Sequence, residues 1–416
     1  MNLLTRNAAW MFGGQCLSVG FQTGYFILLA RLLGPVEYGI YMGVVAASVI
    51  LSQYTALGSG FIFLKHVSGD RNAFARYWGN TLLATAVAGI PLVLLLGLCS
   101  SWMLPKAGIV LVVVVGLGDS LLAQLTSCVS QVFQAVQEMQ FTAGLIFLSN
   151  FLRFLLIVGM VLISGRATAL HWAIWALVVS GLVAAISIAA VIVRLGRPEF
   201  PGARFLLSHT GEGLVFAATS SSVNAYNDLD KVLLSHYGME AANGIYSVAY
   251  RIVNLATIPI TSIYMAAVPT FFAFGKSRLG ESLALTRKLL SRTAFAGCCS
   301  AAGMMLLAPI LPRLLGNGFA GSVSALRWLS LIPLFRSIQW SAGDVLMGMG
   351  RQNLRLCLQL SAVFFNLVLN LYLIRRYSWH GAAWSSLATD GLLGVAMWVA
   401  LGQVSRAQSR MLRAED

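Results

Sequence analysis

The sequence predicts an all-α integral membrane protein of about 12 transmembrane helices, arranged in two six-helix lobes with both termini cytoplasmic. Three observations predict it. Of 416 residues, 58% are hydrophobic and only 10% charged, against about 25% charged in a typical soluble domain. Apolar stretches recur along the whole chain at the length of about 20 residues that a bilayer core requires. The links between them alternate between long basic segments and short ones. No soluble fold could bury this much apolar surface and keep a polar skin, so a water-soluble enzyme is excluded.

Taken in order, the expected spans are 8–30, 37–63, 78–104, 109–134, 140–164, 170–193, 208–236, 241–273, 289–313, 322–347, 352–375 and 379–403. They are far longer than barrel strands, and backbone groups facing lipid must be satisfied within the segment, which only helices achieve at this length. The segment Met1–Arg6 runs into an apolar stretch too long for a signal-peptide core, so the first helix is expected to be retained. Cys16, Cys99, Cys128, Cys298, Cys299 and Cys357 lie in or beside apolar runs without C-x-x-C spacing, which points to packing rather than a disulfide or metal.

Orientation follows from the formal charge of +14. The links 64–77, 194–207 and 274–288 carry Lys65, Arg71, Arg76, Arg194, Arg197, Arg204, Lys276, Arg278, Arg287 and Lys288. Arg6, Arg351, Arg355 and the tail residues Arg406, Arg410 and Arg413 fall on the same side, which the positive-inside rule makes cytoplasmic. Fewer cations, among them Arg31, Lys106 and Arg166, mark the opposite edge. Topology and contact with anionic membrane lipids thus account for the positive charge, and nucleic acid is not an expected partner. No link is long enough for a soluble domain, and no G-x-x-x-x-G-K-[ST] loop is present to hold nucleotide phosphates.

An internal repeat supports two lobes, 1–200 and 201–416. Gly39-Ile40-Tyr41 recurs as Gly244-Ile245-Tyr246, a shift of 244 − 39 = 205. His171-x-Ala173-x-Trp175 recurs as His380-x-Ala382-x-Trp384, a shift of 380 − 171 = 209, and Asn150 pairs with Asn366 in the preceding span. Six helices per half is an even number, so the halves share their orientation.

Charges inside spans are costly and tend to face a cavity or one another. The cationic set is Arg153, Lys231, Arg251 and Arg336; the anionic set includes Asp119, Asp228, Asp230, Asp344 and Asp390. Asn224, Asp228 and Lys231 lie at i, i+4 and i+7 on one face of span 7. Two readings stand: a structural ion pair of Asp228 with Lys231 or Arg251, or the lining of a cavity for an anionic substrate. Arginine suits phosphate because its planar fork stays charged and donates paired hydrogen bonds. Carboxylates suit ion coupling. Five histidines sit at span ends, outside any H-E-x-x-H pattern and away from a nucleophile, so neither a catalytic site nor a metal or other cofactor is expected.

The stretch Asn7-Ala8 through Ala30-Arg31-Leu32-Leu33-Gly34-Pro35-Val36-Glu37-Tyr38-Gly39-Ile40-Tyr41 resembles the first two helices of polysaccharide flippases of the multidrug/oligosaccharidyl-lipid/polysaccharide exporter superfamily. Asp228 through Arg251, with Pro259 and Pro269, is similar to that family's seventh and eighth helices. Tyr377 and Gly381-Ala382-Ala383 resemble its approach to the last helix, with Ser378 where glycine is usual. The resemblance spans essentially the whole chain and implies a transporter of the bacterial inner membrane. It implies a substrate, an undecaprenyl-diphosphate-linked oligosaccharide for O antigen, capsule or exopolysaccharide, moved to the periplasmic leaflet by alternating access. The driving force implied is a proton or sodium gradient, and partners implied are membrane lipids and a polysaccharide polymerase or export machinery. Residue type and depth then assign Arg153, Lys231, Arg251 and Arg336 to the substrate and Asp119, Asp228 and Asp390 to coupling. The alternatives are a multidrug extruder of the same superfamily, which would want an acidic cavity, and a membrane polymerase or ligase, which would want a large periplasmic loop.

Overall fold

The computed structural model describes residues 3–163, 165, 167–274 and 279–415. Arg166, Lys276 and Arg278 lie outside the described residues, as do the side chains of Arg6, Arg410 and Arg413. Among the described residues all regular structure is helical.

Helix α1 (Leu3–Thr55) is a merged pair, broken where Gly34 takes φ 70° and ψ 173°. Glycine reaches that conformation without a Cβ penalty, and Pro35 then starts the next helical run where its missing N–H costs nothing. The first two expected spans are therefore separated at Gly34. The second is itself interrupted: Leu57 and Gly58 have positive φ, and α2 (Ser59–Val67) follows. The cause is a close backbone crossing with the helix that carries Gly213, since a Cβ on Gly58 would lie 2.0 Å from the Gly213 carbonyl oxygen. Apolar periodicity does not register such a break.

Helix α3 (Phe74–Met103) is preceded by a short turn whose Asp70 side chain accepts from the Asn72 N–H. The fourth expected span comprises α4 (Ile109–Val115), a π-helical segment Gly116–Leu122 and α5 (Ala123–Ala135). Then come α6 (Met139–Ile163), α7 (Ala169–Leu195), α8 (Ala203–His236) and α9 (Glu240–Phe274). Helix α10 (Leu279–Leu307) is followed by the short α11 (Leu311–Leu315) and α12 (Ser322–Leu329). The last are α13 (Ile332–Gly348), α14 (Gln352–Tyr377) and α15 (Trp379–Glu415). The expected span 322–347 is thus divided before Pro333, which sits in the first turn of α13, where its lack of an N–H is tolerated.

Eight helices among the described residues are long and apolar enough to cross a membrane. One of them, Gly13–Thr55, contains the Gly34 break and so holds two of the expected spans. The remaining expected spans are α8, α9 and the α12–α13 pair. Helix α8 is diluted by Ser220–Ser222, Asn224, Asn227, Asp228, Asp230 and Lys231. This is a multi-pass helical membrane protein.

By packing, the chain forms two compact units, Met1–Gly244 and Ile245–Asp416. In the first, Phe63, Trp78, Val129, Val132, Phe133 and Val191 form a buried cluster at the ends of α2, α3, α5 and α7. The first unit also contains a reciprocal glycine contact. A Cβ on Gly39 would lie 1.8 Å from the Glu240 carbonyl oxygen, and one on Gly244 would lie 2.0 Å from that of Pro35. These four residues are the matched positions of the repeat, 35 + 205 = 240 and 39 + 205 = 244, so two copies of one motif pack on each other's backbone. Membrane helices associate by such small-residue approaches because lipid supplies no hydrophobic drive between them. In the second unit Tyr264, Phe271, Val345, Leu346, Leu393 and Met397 pack together.

Candidate functional site

In the first unit, Arg153 on α6 reaches across to the π-helical segment. Its Nη2 donates to Asp119 Oδ1 at 2.9 Å and to Ser180 Oγ on α7 at 3.2 Å. Both charged side chains are mostly buried, 18% and 16% exposed. Asp119 is aimed by the wider π turn, a local geometry that recurs at functional sites. Asn150, three residues before Arg153 and on the same face of α6, donates to Ser18 Oγ at 2.6 Å. Tyr25 and Tyr41 are electrostatic neighbours of Arg153. Trp172 stacks on Tyr25 and meets Tyr41 edge-on at 6.5 Å. Among the described residues the buried Nε of Arg153 has no hydrogen-bond partner, which leaves one donor of the guanidinium unspent.

Lys231 lies in the same unit and engages groups of its own helix, α8. Its Nζ sits 2.7 Å from Asp228 Oδ1 and 3.6 Å from Asp230, and donates to the Asn227 carbonyl at 2.6 Å. Lys231 and Asp230 are almost fully buried, whereas the Asp228 side chain is 25% exposed. Toward α1 the same helix turns Ser221, which donates to the Ile50 carbonyl at 2.7 Å, and Asn224, which donates to that of Val49 at 3.1 Å. Of the two sequence readings of α8, the Asp228–Lys231 ion pair is present as geometry.

The second unit has its own cationic cluster. Arg336 on α13 is buried; it donates to Tyr250 Oη at 2.8 Å and to Asn254 Oδ1 at 3.0 Å, both on α9. Arg251, the neighbour of Tyr250, is half-buried. Asp390 on α15 is 1% exposed, and both its oxygens lack a hydrogen-bond partner among the described residues. It lies one turn past Ser386, whose hydroxyl meets Tyr246 Oη at 3.0 Å. Tyr250 is likewise one turn past Tyr246, so the Arg336–Tyr250 contact and the Asp390 position each follow the Tyr246–Ser386 link by one helical turn. Beside it, Asn366, Asn370, Ser385 and Thr389 knit α14 to α15 by hydrogen bonds.

The structure therefore joins Arg153 with Asp119, and Lys231 with Asp228, and sets Arg336 against Tyr250 and Asn254. Tyr250, Asn254, Ser180, Tyr41 and Trp172 are site residues that charge counting missed. The signal was present in spacing, since Asn254 is one turn past Tyr250. The clusters also correspond through the repeat. Tyr41 matches Tyr246, and Ser180 matches Thr389, because 389 − 180 = 209. Among the described residues no group of three or more His, Cys, Asp and Glu could hold a metal ion.

Solved structures share this architecture. An inward-facing multidrug resistance MATE family transporter of the MOP superfamily superposes with a TM-score of 0.76 at 14% identity, covering 94% of this chain and 96% of that one. The MATE multidrug transporter DinF-BH in complex with R6G gives 0.69 at 17% identity, covering 96% and 95%. A MOP superfamily transporter from Pyrococcus furiosus, described by the reverse polarity of its binding pocket, gives 0.65 at 14% identity, covering 98% and 96%. No curated protein matches the sequence. The family described as polysaccharide biosynthesis protein matches residues 4–274, and with the fold and the sequence motifs in agreement the chain belongs to that family.

Proposed function

We propose that the protein is a flippase that carries undecaprenyl-diphosphate-linked oligosaccharide repeat units from the cytoplasmic to the periplasmic leaflet of a bacterial inner membrane. The observation that carries the reading is the pair of arginines held inside apolar helices, Arg153 in one unit and Arg336 in the other, in a chain of the polysaccharide biosynthesis family. The Arg153 guanidinium is oriented by Asp119 and Ser180 and that of Arg336 by Tyr250 and Asn254, so each planar fork is held in place for a phosphate. Lys231 and Arg251 add to the cationic lining in this proposal. Asp119, Asp228 and Asp390 serve as coupling groups in a proton- or sodium-driven cycle between six-helix halves 1–200 and 201–416. Both termini lie in the cytoplasm, following the basic links. Membrane lipids surround the protein, and a polymerase or export machinery takes the product.

The second reading, a multidrug extruder, is favoured by the mostly buried carboxylate of Asp119, the buried one of Asp390 and the multidrug transporters that share the fold. Reconstitution separates the two. In proteoliposomes with an imposed ion gradient, the flippase reading expects translocation of a labelled polyprenyl-diphosphate oligosaccharide and none of a cationic dye. Dye transport without translocation of the lipid-linked sugar would overturn it.

A further inference from the structure

We propose that the first unit holds one anionic phospholipid of the surrounding bilayer at the end where α6 passes to α7, with its phosphate against Arg31, Thr168 and His171 and one acyl chain between the two helices. Two adjoining cavities have this shape. One, of about 580 Å³, is lined by Arg31, Gly34, Glu37, Thr168 and His171. The other, of about 500 Å³, is lined by Leu155, Leu156, Gly159, Met160, Ile163 and Trp175. They share Ala167 and His171, so a polar chamber opens directly into an apolar groove. Each volume lies within the range of about 300–1,000 Å³ of small-molecule sites.

Charge decides the headgroup. Glu37 is already committed, because its Oε2 accepts the Ala169 N–H at 2.7 Å and caps α7, where a negative charge is favoured. Arg31 is exposed and forms no ion pair among the described residues, so its guanidinium is open to a phosphate. His171 and Thr168 add donors. Among the described residues, one guanidinium and two further donors line the chamber, a set that matches a single phosphate. The apolar groove faces outward: Ile163 is 86% exposed and Trp175 55%, and a Cβ on Gly159 would meet nothing within 4 Å. That exposure makes the bilayer's own lipid the occupant. The site is separate from the Arg153 and Arg336 clusters and does not depend on the flippase reading.

Native mass spectrometry of the full-length protein, titrated separately with phosphatidylglycerol and phosphatidylcholine, tests it. The expected result is one tightly held phosphatidylglycerol, preferred about tenfold, the scale of one charge-assisted hydrogen bond. Arg31→Gln removes the preference, and Gly159→Leu, which fills the groove, weakens both lipids about tenfold. Gly144→Leu, on the same helix with equally open space around its Cβ, changes nothing. Equal binding of the two lipids by the native protein would overturn the proposal. So would indifference to Arg31→Gln or Gly159→Leu, or displacement of phosphatidylglycerol by equimolar undecaprenyl phosphate, which would make the carrier lipid the occupant.

Discussion

Neutralising one partner of the Arg153–Asp119 pair separates its structural part from its functional part. At 2.9 Å and an effective dielectric constant of about 20, the Coulomb attraction is about 6 kcal/mol before desolvation is subtracted. Removing one member of a buried pair costs about 3–5 kcal/mol, because the other charge stays buried without its partner. Asp119→Asn keeps a hydrogen-bond acceptor for Arg153 Nη2 but strands the cation; Arg153→Gln strands the carboxylate. For a unit of this size, at about 2–4 °C per kcal/mol, each single substitution should lower the melting temperature by about 6–20 °C. The double variant should lose less than the sum of the two, since neither charge is then orphaned. Thermal unfolding in detergent reads stability, and export of surface polymer in the host reads function. All three variants should lose export, including the double variant with its smaller-than-additive loss of stability. Restored export in the double variant would make the pair purely structural. Additive losses in stability would show that the two side chains do not interact.

Three further outcomes follow from the geometry. Ser378 takes φ 53° and ψ −136° between α14 and α15, a region essentially reserved for glycine, so Ser378→Gly should raise stability by about 1 kcal/mol in a thermal melt. A lower melting temperature would contradict the strain. Gly39→Ala and Gly244→Ala each drive a Cβ into backbone, at 1.8 Å and 2.0 Å, and should each cost about 1–3 kcal/mol as overpacking, whereas Gly303→Ala, with nothing within 4 Å, should be neutral. Asp390→Asn should leave folded yield intact, since no hydrogen bond is lost among the described residues, but should abolish gradient-driven transport in proteoliposomes. Full transport by that variant would remove Asp390 from coupling.

Much of the architecture was legible because membrane helices write themselves in composition: apolar runs of bilayer length and basic links leave few other solutions. What was hidden lies where backbone geometry departs from a straight helix. The breaks at Leu57–Gly58 and before Pro333, and the π turn that aims Asp119, leave apolar periodicity unchanged. The repeated Gly39-Ile40-Tyr41 and Gly244-Ile245-Tyr246 motifs are visible in the sequence, but the contact of Gly39 with Glu240 and of Gly244 with Pro35 is a tertiary feature that leaves no mark in residue spacing. Charged site residues were identified by type and depth. Their neutral partners, Tyr250, Asn254 and Ser180, were not, because an uncharged polar residue on a membrane helix is common and becomes informative only once an arginine is seen to reach it. Ser378 departs from the family pattern, and its positive φ gives the reason glycine is usual there.

The central claim is that the protein moves a lipid-linked oligosaccharide across the membrane. Deleting the gene in its host and analysing lipid-linked oligosaccharides and surface polymer tests it most directly. The account predicts complete undecaprenyl-linked repeat units retained on the cytoplasmic face, with surface polymer lost. Unchanged polymer together with increased sensitivity to cationic dyes would contradict it and assign the protein to drug extrusion.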